Sequence, residues 1–307
     1  MSVHCETTTL GVLLAHLGLD LSEPMLFGLG EGLSFVYWDA KYLDFPFLGG
    51  RTRPMAVATR LADRLGLAID VAETASPRKA WQNVARHVDA GRPVGLQLDC
   101  YHLDYFTTKV HFGGHIVAMH GYDDSYAYLI DTAPQGGSVH TTRASLAAAR
   151  AERGPMTARH LSFTLDRAGE PAEVRAVLGT AIRNTATAFL HPPIANLGYR
   201  GIAKAAQRVT GWPAHGLART AVLMESAGTG GALFRNLYRD FLGECATLVD
   251  SAALRTGHRL YGEAAQLWTR VAAGIAAADL VEASALLREL AALERSAMEV
   301  LAGCGEG

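Results

Sequence analysis

The sequence predicts an α+β protein whose first domain combines helices with an antiparallel sheet and whose second domain is all-α. In the first half, apolar residues at helical spacing alternate with short apolar runs typical of strands. Beyond the polar stretch 166–171, which contains Gly and Pro, the pattern changes to Ala-rich segments of helical character. We therefore place the domain boundary at this stretch, with a first domain over residues 1–166 and a second over residues 167–307.

The first domain is predicted to open with a helix, because leucines recur at helical spacing from Leu10 to Leu17 and Gly18 follows as a stop. Two further helices are predicted over residues 54–66 and 77–91. The runs typical of strands are 67–71, 93–98, 116–122, 127–131 and 160–165. The turn-prone Asp123-Asp124-Ser125 predicts that the third and fourth of these runs form an antiparallel hairpin.

The second domain is predicted to consist of helices over residues 172–190, 201–210, 231–254, 261–277 and 280–301. Alanine, which is abundant in these segments, has the highest intrinsic helix propensity. The apolar, Ala-rich helices at the C-terminal end could also supply the face of a homodimer.

Composition excludes several classes of protein. The 307 residues are 49% hydrophobic and 19% charged, with a formal net charge of -2. A disordered chain would be poorer in apolar residues, and a nucleic-acid binder would normally carry a basic excess. The four cysteines are far apart without a CxxC pair, which predicts reduced thiols rather than a disulfide framework or zinc finger. The N-terminus lacks a basic start, and no later apolar run reaches about 20 residues, so we expect a cytoplasmic protein without a membrane segment.

Cys5 is the first candidate for chemistry, because it directly precedes the first predicted helix. The unpaired N–H groups and the dipole at a helix N-terminus favour an anion, so a thiol at this place loses its proton more easily. The alternative is a small buried hydrophobe, which is how free cysteine commonly behaves. A nucleophilic thiolate also needs a base within reach and a third group that orients the base.

The segment His111-Phe112-Gly113-Gly114-His115 supplies the base. On the strand that follows, side chains alternate, so His115 and His120 point to opposite faces. This parity argues against a site in which three histidines bind a metal, because a metal needs convergent ligands, and we predict no metal. His115 is the better base, since the preceding glycines leave space for a substrate or another backbone. His111 is expected to contact substrate and His120 to be structural.

Asp131 suits the third role, because it ends the strand after the predicted hairpin turn. Adjacent antiparallel strands can hold a histidine and an aspartate at hydrogen-bonding distance, and the carboxylate would then fix the imidazole tautomer. An aspartate shortly before Pro134 is also a common turn residue. Spacing alone leaves both readings open.

The order of Cys on an N-terminal helix, then His and Asp on later strands, is that of papain-like cysteine enzymes. Several strings also resemble the butirosin-biosynthesis protein H-like family, which pairs a papain-like N-terminal domain with a helical C-terminal domain. In the first half they are His4-Cys5-Glu6-Thr7-Thr8, Leu26-Phe27-Gly28-Leu29-Gly30-Glu31-Gly32, His111-Phe112-Gly113-Gly114-His115 and Gly121-Tyr122-Asp123. In the second half they are Pro192-Pro193-Ile194-Ala195-Asn196-Leu197-Gly198 and Gly228-Thr229-Gly230-Gly231-Ala232-Leu233-Phe234-Arg235.

The resemblance implies an acyltransferase of natural-product biosynthesis. An acyl carrier protein would deliver a thioester on its phosphopantetheine arm, the enzyme's cysteine would take the acyl group, and a small-molecule amine would accept it. The resemblance puts the nucleophile on Cys5, the general base and acid on His115 and the orienting group on Asp131. The phosphopantetheine arm is then a substrate, and no bound cofactor is expected. Two alternatives remain: a thioesterase or cyclase, and a non-catalytic partner of a biosynthetic assembly.

The oxyanion hole departs from the papain pattern. Papain-like proteases use an upstream glutamine side chain, but none of the four residues before Cys5 is glutamine. The backbone N–H of Cys5 is one expected donor, and His4, Thr7 or Tyr101 is the candidate for the second. The departure disfavours plain proteolysis but does not exclude thioester hydrolysis.

Two further features have both a functional and a structural reading. The glycines from Gly228 to Gly231 precede a predicted helix with Arg235 in its first turn, which would suit the phosphate of a phosphopantetheine arm or merely close helix packing. A group of aromatic residues offers either a pocket wall for an acyl chain or ordinary core. These are Phe35, Tyr37, Trp38, Tyr42, Phe45, Tyr101, Tyr105 and Phe106.

Overall fold

The computed structural model describes residues 2–41, 43–226 and 229–304. Its packing divides the chain into two compact units. The first consists of Met1–Leu26 and Pro54–Ala172, and the second of Phe27–Arg53 and Glu173–Gly307. The protein is therefore mixed α+β, with an antiparallel sheet and helices in the first unit and mostly helices in the second.

The first unit is built on a six-stranded antiparallel sheet with strand order β3-β8-β4-β5-β6-β7. Its strands are β3 (Leu67–Ala72), β4 (Val94–Leu98), β5 (His115–Tyr122), β6 (Tyr126–Ile130), β7 (Ser138–Thr142) and β8 (Ser162–Arg167). Its helices are α1 (Cys5–His16), α3 (Ala56–Leu65), α4 (Pro77–Asp89) and α5 (Arg143–Ala151), and α2 (Glu23–Leu29) begins in this unit.

The two central strands β4 and β5 are buried along most of their length, because helices cover the sheet. Val84 of α4 and Leu146 of α5 share one apolar cluster with Leu96, Val117 and Leu129 of the sheet. In this register Leu98 lies opposite His115, and Ala118 lies opposite Ile130. The start of β5 and the end of β6 are thereby brought to the same region of the sheet.

The second unit contains α6 (Val174–Leu190), α7 (Gly198–Arg208), α8 (Leu217–Ser226), α9 (Ala232–Leu248), α10 (Ala252–Ala276) and α11 (Leu280–Ala302). It also contains an antiparallel pair, β1 (Leu33–Trp38) and β2 (Phe47–Arg51). This pair was not predicted. Because it belongs to the second unit, that unit is not purely helical. Phe35 and Tyr37 of β1 are fully buried, with Phe35 stacked on Trp268, which makes them core residues.

Most predicted elements are confirmed, including the hairpin of β5 and β6 and the long C-terminal helices. The helix predicted over residues 231–254 is wrong at its end. Helix α9 stops at Leu248, and a new helix begins at Ala252 because the Ser251 hydroxyl accepts a hydrogen bond from Leu254 N–H and caps it. Strand β7 and helices α2, α5 and α8 were not predicted. Within the described residues, the helices lack the combination of length and apolar character needed to cross a bilayer.

Candidate active site

Cys5 is the first residue of α1, directly after the extended His4. The chain at this point is held by the Glu23 carboxylate, which accepts hydrogen bonds from the backbone N–H groups of Val3, at 2.9 and 3.0 Å, and of His4, at 2.8 Å. The Thr7 hydroxyl donates to the same carboxylate at 2.9 Å. Glu23 therefore fixes the approach of the chain to Cys5, a role that the sequence does not reveal because 17 residues of helix and loop intervene.

His115 lies at the first position of β5, where Cys5 and Asp131 meet it. Its Nε2 lies 2.8 Å from the Oδ2 of Asp131, and both side chains are buried. The Cys5 side chain forms a hydrogen bond with the same imidazole. Because Nε2 is occupied by Asp131, Nδ1 is the ring nitrogen that remains for the thiol. The structure thus brings the three predicted catalytic residues together.

The Asp131 carboxylate is fixed from several sides. The backbone N–H of Asp131 donates to the Gly137 carbonyl at 2.8 Å, and the carboxylate Oδ1 accepts the N–H of Thr132 at 2.6 Å. Its Oδ2 accepts a second hydrogen bond, from the Tyr105 hydroxyl at 2.8 Å, beside that of His115. Asp131 is therefore part of an organised buried network rather than only a turn residue.

Electrostatics in this network favour a charged His115. Burial by itself lowers the pKa of the imidazole, but the charge of Asp131, its hydrogen bond and the contact with Cys5 outweigh burial and raise the pKa to about 10. An imidazolium next to Cys5 favours the thiolate form of that cysteine. The site can thus hold a nucleophilic thiolate and a proton donor side by side at neutral pH.

The sequence predicted Tyr105 as part of either a pocket wall or ordinary core, but the structure gives it a hydrogen bond to Asp131. Burial and the nearby Asp131 carboxylate raise the pKa of its phenol. The hydroxyl therefore keeps its proton and remains a donor to Asp131. A tyrosine six residues before His111 carries no signal for this role, because only the folded loop brings it to Asp131.

The other three cysteines differ from Cys5 in their surroundings. Burial raises the pKa of Cys100 and of Cys245 to about 12 in each case, and it also raises the pKa of Cys304. Thiolate, not thiol, is the reactive form, so these three side chains are disfavoured as nucleophiles. Cys5 is the cysteine that has a histidine partner oriented by a carboxylate.

The three residues predicted as the second oxyanion donor, His4, Thr7 and Tyr101, each make other contacts. Thr7 lies in the network at the start of α1, where its one hydroxyl proton serves Glu23 or the His4 carbonyl. His4 is buried, and its Nδ1 lies 3.2 Å from the Thr7 hydroxyl. Tyr101 stacks on His111 with ring centroids 4.0 Å apart. Cys5 is the first residue of α1, where the backbone N–H groups favour an anion, and the second oxyanion donor stays a prediction.

The segment before His115 is packed by protein atoms. A Cβ on Gly113 would lie 2.3 Å from Thr157 Cγ2 and 2.9 Å from its backbone N, and a Cβ on Gly114 would lie 3.0 Å from Pro54 Cγ. Of the two predicted reasons for these glycines, close approach of another part of the chain is therefore the one observed. Gln97 adds a second support that the sequence did not show, since its amide donates to the Gly113 carbonyl at 3.0 Å.

Arg235 does not take the predicted role at a phosphate. It lies in α9 in the second unit, fully buried, with its guanidinium paired to both carboxylate oxygens of Glu294 at 3.0 Å. A guanidinium enclosed in this way has no free face for a phosphate, so the structure assigns Arg235 to the core. Gly231 is tight against the Met224 carbonyl, which agrees with packing as the reason for this glycine. Gly228 and Tyr42 lie outside the described residues.

Comparison with known families adds independent evidence. A family model described as "Butirosin biosynthesis protein H, N-terminal" matches residues 4–132, and one described as "Domain of unknown function (DUF4872)" matches residues 144–301. The chain belongs to the butirosin-biosynthesis protein H-like family. No curated protein matches the chain. The first matched range contains Cys5, His115 and Asp131, and membership of this family implies a biosynthetic enzyme of antibiotic pathways.

Proposed function

We propose that this protein is a cysteine-dependent acyltransferase of natural-product biosynthesis. It would take an acyl group from a carrier-protein thioester through Cys5 and pass it to a small-molecule amine. The observation that carries the proposal is the buried arrangement of Cys5, His115 and Asp131, with a hydrogen bond from the thiol to the imidazole and 2.8 Å from the imidazole to the carboxylate. The family match supports the biosynthetic setting.

In the first half-reaction, the Cys5 thiolate attacks the thioester carbonyl carbon and forms a tetrahedral intermediate. The backbone N–H at the helix start stabilises its oxyanion, where the helix dipole also favours negative charge. The intermediate collapses with cleavage of the bond to the carrier sulfur, and His115 gives its proton to that leaving thiolate. The products are an acylated Cys5, a neutral His115 and the free thiol of the carrier's phosphopantetheine arm.

In the second half-reaction, the amine nitrogen attacks the carbonyl carbon of the acyl-enzyme. His115, now neutral, accepts a proton from this nitrogen, and the bond from carbon to the Cys5 sulfur breaks. The products are an amide and the thiolate–imidazolium pair from which the cycle began. Asp131 serves both halves, because its charge stabilises the imidazolium and its hydrogen bond keeps the ring oriented.

The test uses N-acetylcysteamine thioesters of short linear acyl groups as surrogates for the carrier-bound substrate. Intact-mass measurement is expected to show one acyl group per chain, located on Cys5 by peptide mapping. Added primary amines are expected to speed the loss of this adduct and to yield the amide. Discharge at the same rate with and without amine would instead show hydrolysis and contradict the transfer proposal.

Matched variants separate catalysis from folding. Cys5→Ala should abolish the adduct, and His115→Ala should slow acylation by roughly a hundredfold or more, the usual contribution of a general acid–base group. Cys304→Ser changes a cysteine outside the site and is expected to acylate like the unaltered protein. Product formation that survives in both Cys5→Ala and His115→Ala would overturn the proposal and favour a non-catalytic role.

A further inference from the structure

A second cluster of potential ligands lies in the first unit, apart from the three proposed catalytic residues. A ring nitrogen of His102, a ring nitrogen of His111 and a carboxylate oxygen of Glu152 all lie within 4.8 Å of one another. His102 Nε2 is 2.6 Å from Glu152 Oε2. The three residues come from different segments: a short 3-10 turn after β4, the loop before β5, and the C-terminal end of α5.

The ring of His111 is oriented by two neighbours. Its Nδ1 lies 3.4 Å from Oδ2 of Asp99, a carboxylate whose side chain is only 3% exposed, and one face of the ring stacks on Tyr101. Asp99 is itself anchored, because its Oδ1 accepts the Tyr101 N–H at 2.9 Å. A carboxylate at one ring nitrogen is the usual partner of a histidine that binds metal through the other, since it fixes the tautomer and raises the basicity of the ligand.

We infer that His102, His111 and Glu152 form a binding site for a divalent transition-metal ion of the zinc class. Two imidazoles and one carboxylate are a common donor set for Zn²⁺, with a fourth position left for water. Ligand atoms around a tetrahedral zinc lie about 3.4 Å apart at its usual bond lengths, so small side-chain rotations would complete the site. Nitrogen donors disfavour Mg²⁺ and Ca²⁺, which select oxygen ligands.

The site is open enough for an ion to enter. The side chain of His111 is 57% exposed, and those of His102 and Glu152 are 26% and 28% exposed. Binding would replace the hydrogen bond between His102 and Glu152 with two bonds to the ion and would release any proton held between them. The ion would then join the turn after β4, the loop before His115 and the end of α5.

The probe is Zn²⁺ titrated by calorimetry into metal-free full-length protein. Cys5→Ala serves as the background, because a thiolate–histidine pair can itself bind zinc. We expect one ion per chain in this background, and a rise in the thermal midpoint that grows with zinc concentration. His102→Ala and His111→Ala, each made in the same background, should weaken binding by roughly a hundredfold or more.

Two further variants make the result specific. Asp99→Asn keeps an oxygen that can accept the Tyr101 N–H, but it removes the negative charge next to His111 Nδ1. This variant should weaken zinc binding about tenfold to a hundredfold. His120→Ala removes an exposed histidine outside the cluster and should leave zinc affinity unchanged. Equal zinc affinity in His111→Ala and the background, or no binding at millimolar zinc, would overturn the inference. Equal thermal midpoints in excess chelator would show that the variants are folded, and none of these readouts depends on acyl transfer.

Discussion

Replacing Glu294 with glutamine would leave Arg235 as an unbalanced charge in the core of the second unit. Both side chains are 0% exposed, and two hydrogen bonds of 3.0 Å join them. The indole N–H of Trp268 also donates to Glu294, at 2.5 Å, and the guanidinium lies 4.9 Å from the centre of that ring. Glutamine has nearly the same size as glutamate, so the change removes the charge and one acceptor with little change in volume.

The expected loss of unfolding free energy is about 3–5 kcal/mol, the usual result of removing one partner from a buried ion pair. The loss is large because the remaining guanidinium is neither solvated nor balanced, and the new amide group places a donor against its N–H groups. For a unit of this size, the corresponding fall in the thermal midpoint is roughly 6–20 °C. The same loss would not follow if Arg235 were held at the surface for a ligand.

The assay is urea unfolding followed by the fluorescence of the four tryptophans, one of which, Trp268, is fully buried beside this ion pair. Glu299→Gln is the matched control, because it makes the same change on the same helix α11. Glu299 pairs with Arg295, and their side chains are 51% and 55% exposed. An exposed pair of this kind contributes little, so the control should change stability by less than about 1 kcal/mol.

Equal stability losses in Glu294→Gln and Glu299→Gln would refute the reasoning. A double variant, Arg235→Met with Glu294→Leu, separates charge from packing, because it removes both charges and keeps apolar volume. It should recover most of the loss, as buried pairs replaced by apolar residues often do. A double variant as unstable as Glu294→Gln would show that hydrogen bonds and shape, rather than an unbalanced charge, are decisive.

Three further predictions concern the candidate active site. Alkylation of Cys5 by iodoacetamide should vary little between about pH 6 and pH 9, because His115 has a pKa raised to about 10 and stays protonated over this range. In Asp131→Asn the rate should instead climb with pH towards an inflection near 8.5, as for an ordinary thiol; identical profiles would contradict the role of Asp131. Tyr105→Phe removes one hydrogen bond to the carboxylate and should lower the rate of acylation about tenfold without unfolding the protein; an unchanged rate would exclude it as a positioning residue. The Glu23 carboxylate holds the start of α1, so Glu23→Gln should speed amide hydrogen exchange at residues 3–8, measured by mass spectrometry. Unaltered exchange would show that packing alone holds this segment.

Local patterns were sufficient for most of the first unit and for predicting that Cys5, His115 and Asp131 lie together. The spacing of leucines predicted α1, and Cys5 stood at its start. Alternation and the Asp123–Ser125 turn predicted the pairing of β5 with β6, which is why His115 and Asp131 could be placed near each other. These features depend on neighbours in sequence or on one hairpin, so the sequence carries them directly.

Hydrogen bonds between residues that are distant in the sequence were revealed only by the tertiary structure. Tyr105 reaches Asp131 through a folded loop, and Glu23 reaches the start of α1 across a turn. Arg235 was predicted at a phosphate site, because glycines precede its helix. In the structure it pairs with Glu294, which lies on another helix 59 residues away in the sequence.

The sequence by itself therefore determined the fold class and most of the elements, and it predicted which residues carry the chemistry. Tertiary structure decided which polar groups are paired, which thiol has a histidine beside it, and which histidine meets His102 and Glu152. The physical reason is that periodicity reports which face of an element is apolar. Charge and hydrogen-bond partners, in contrast, depend on side chains that only the packed elements bring within about 3 Å of each other.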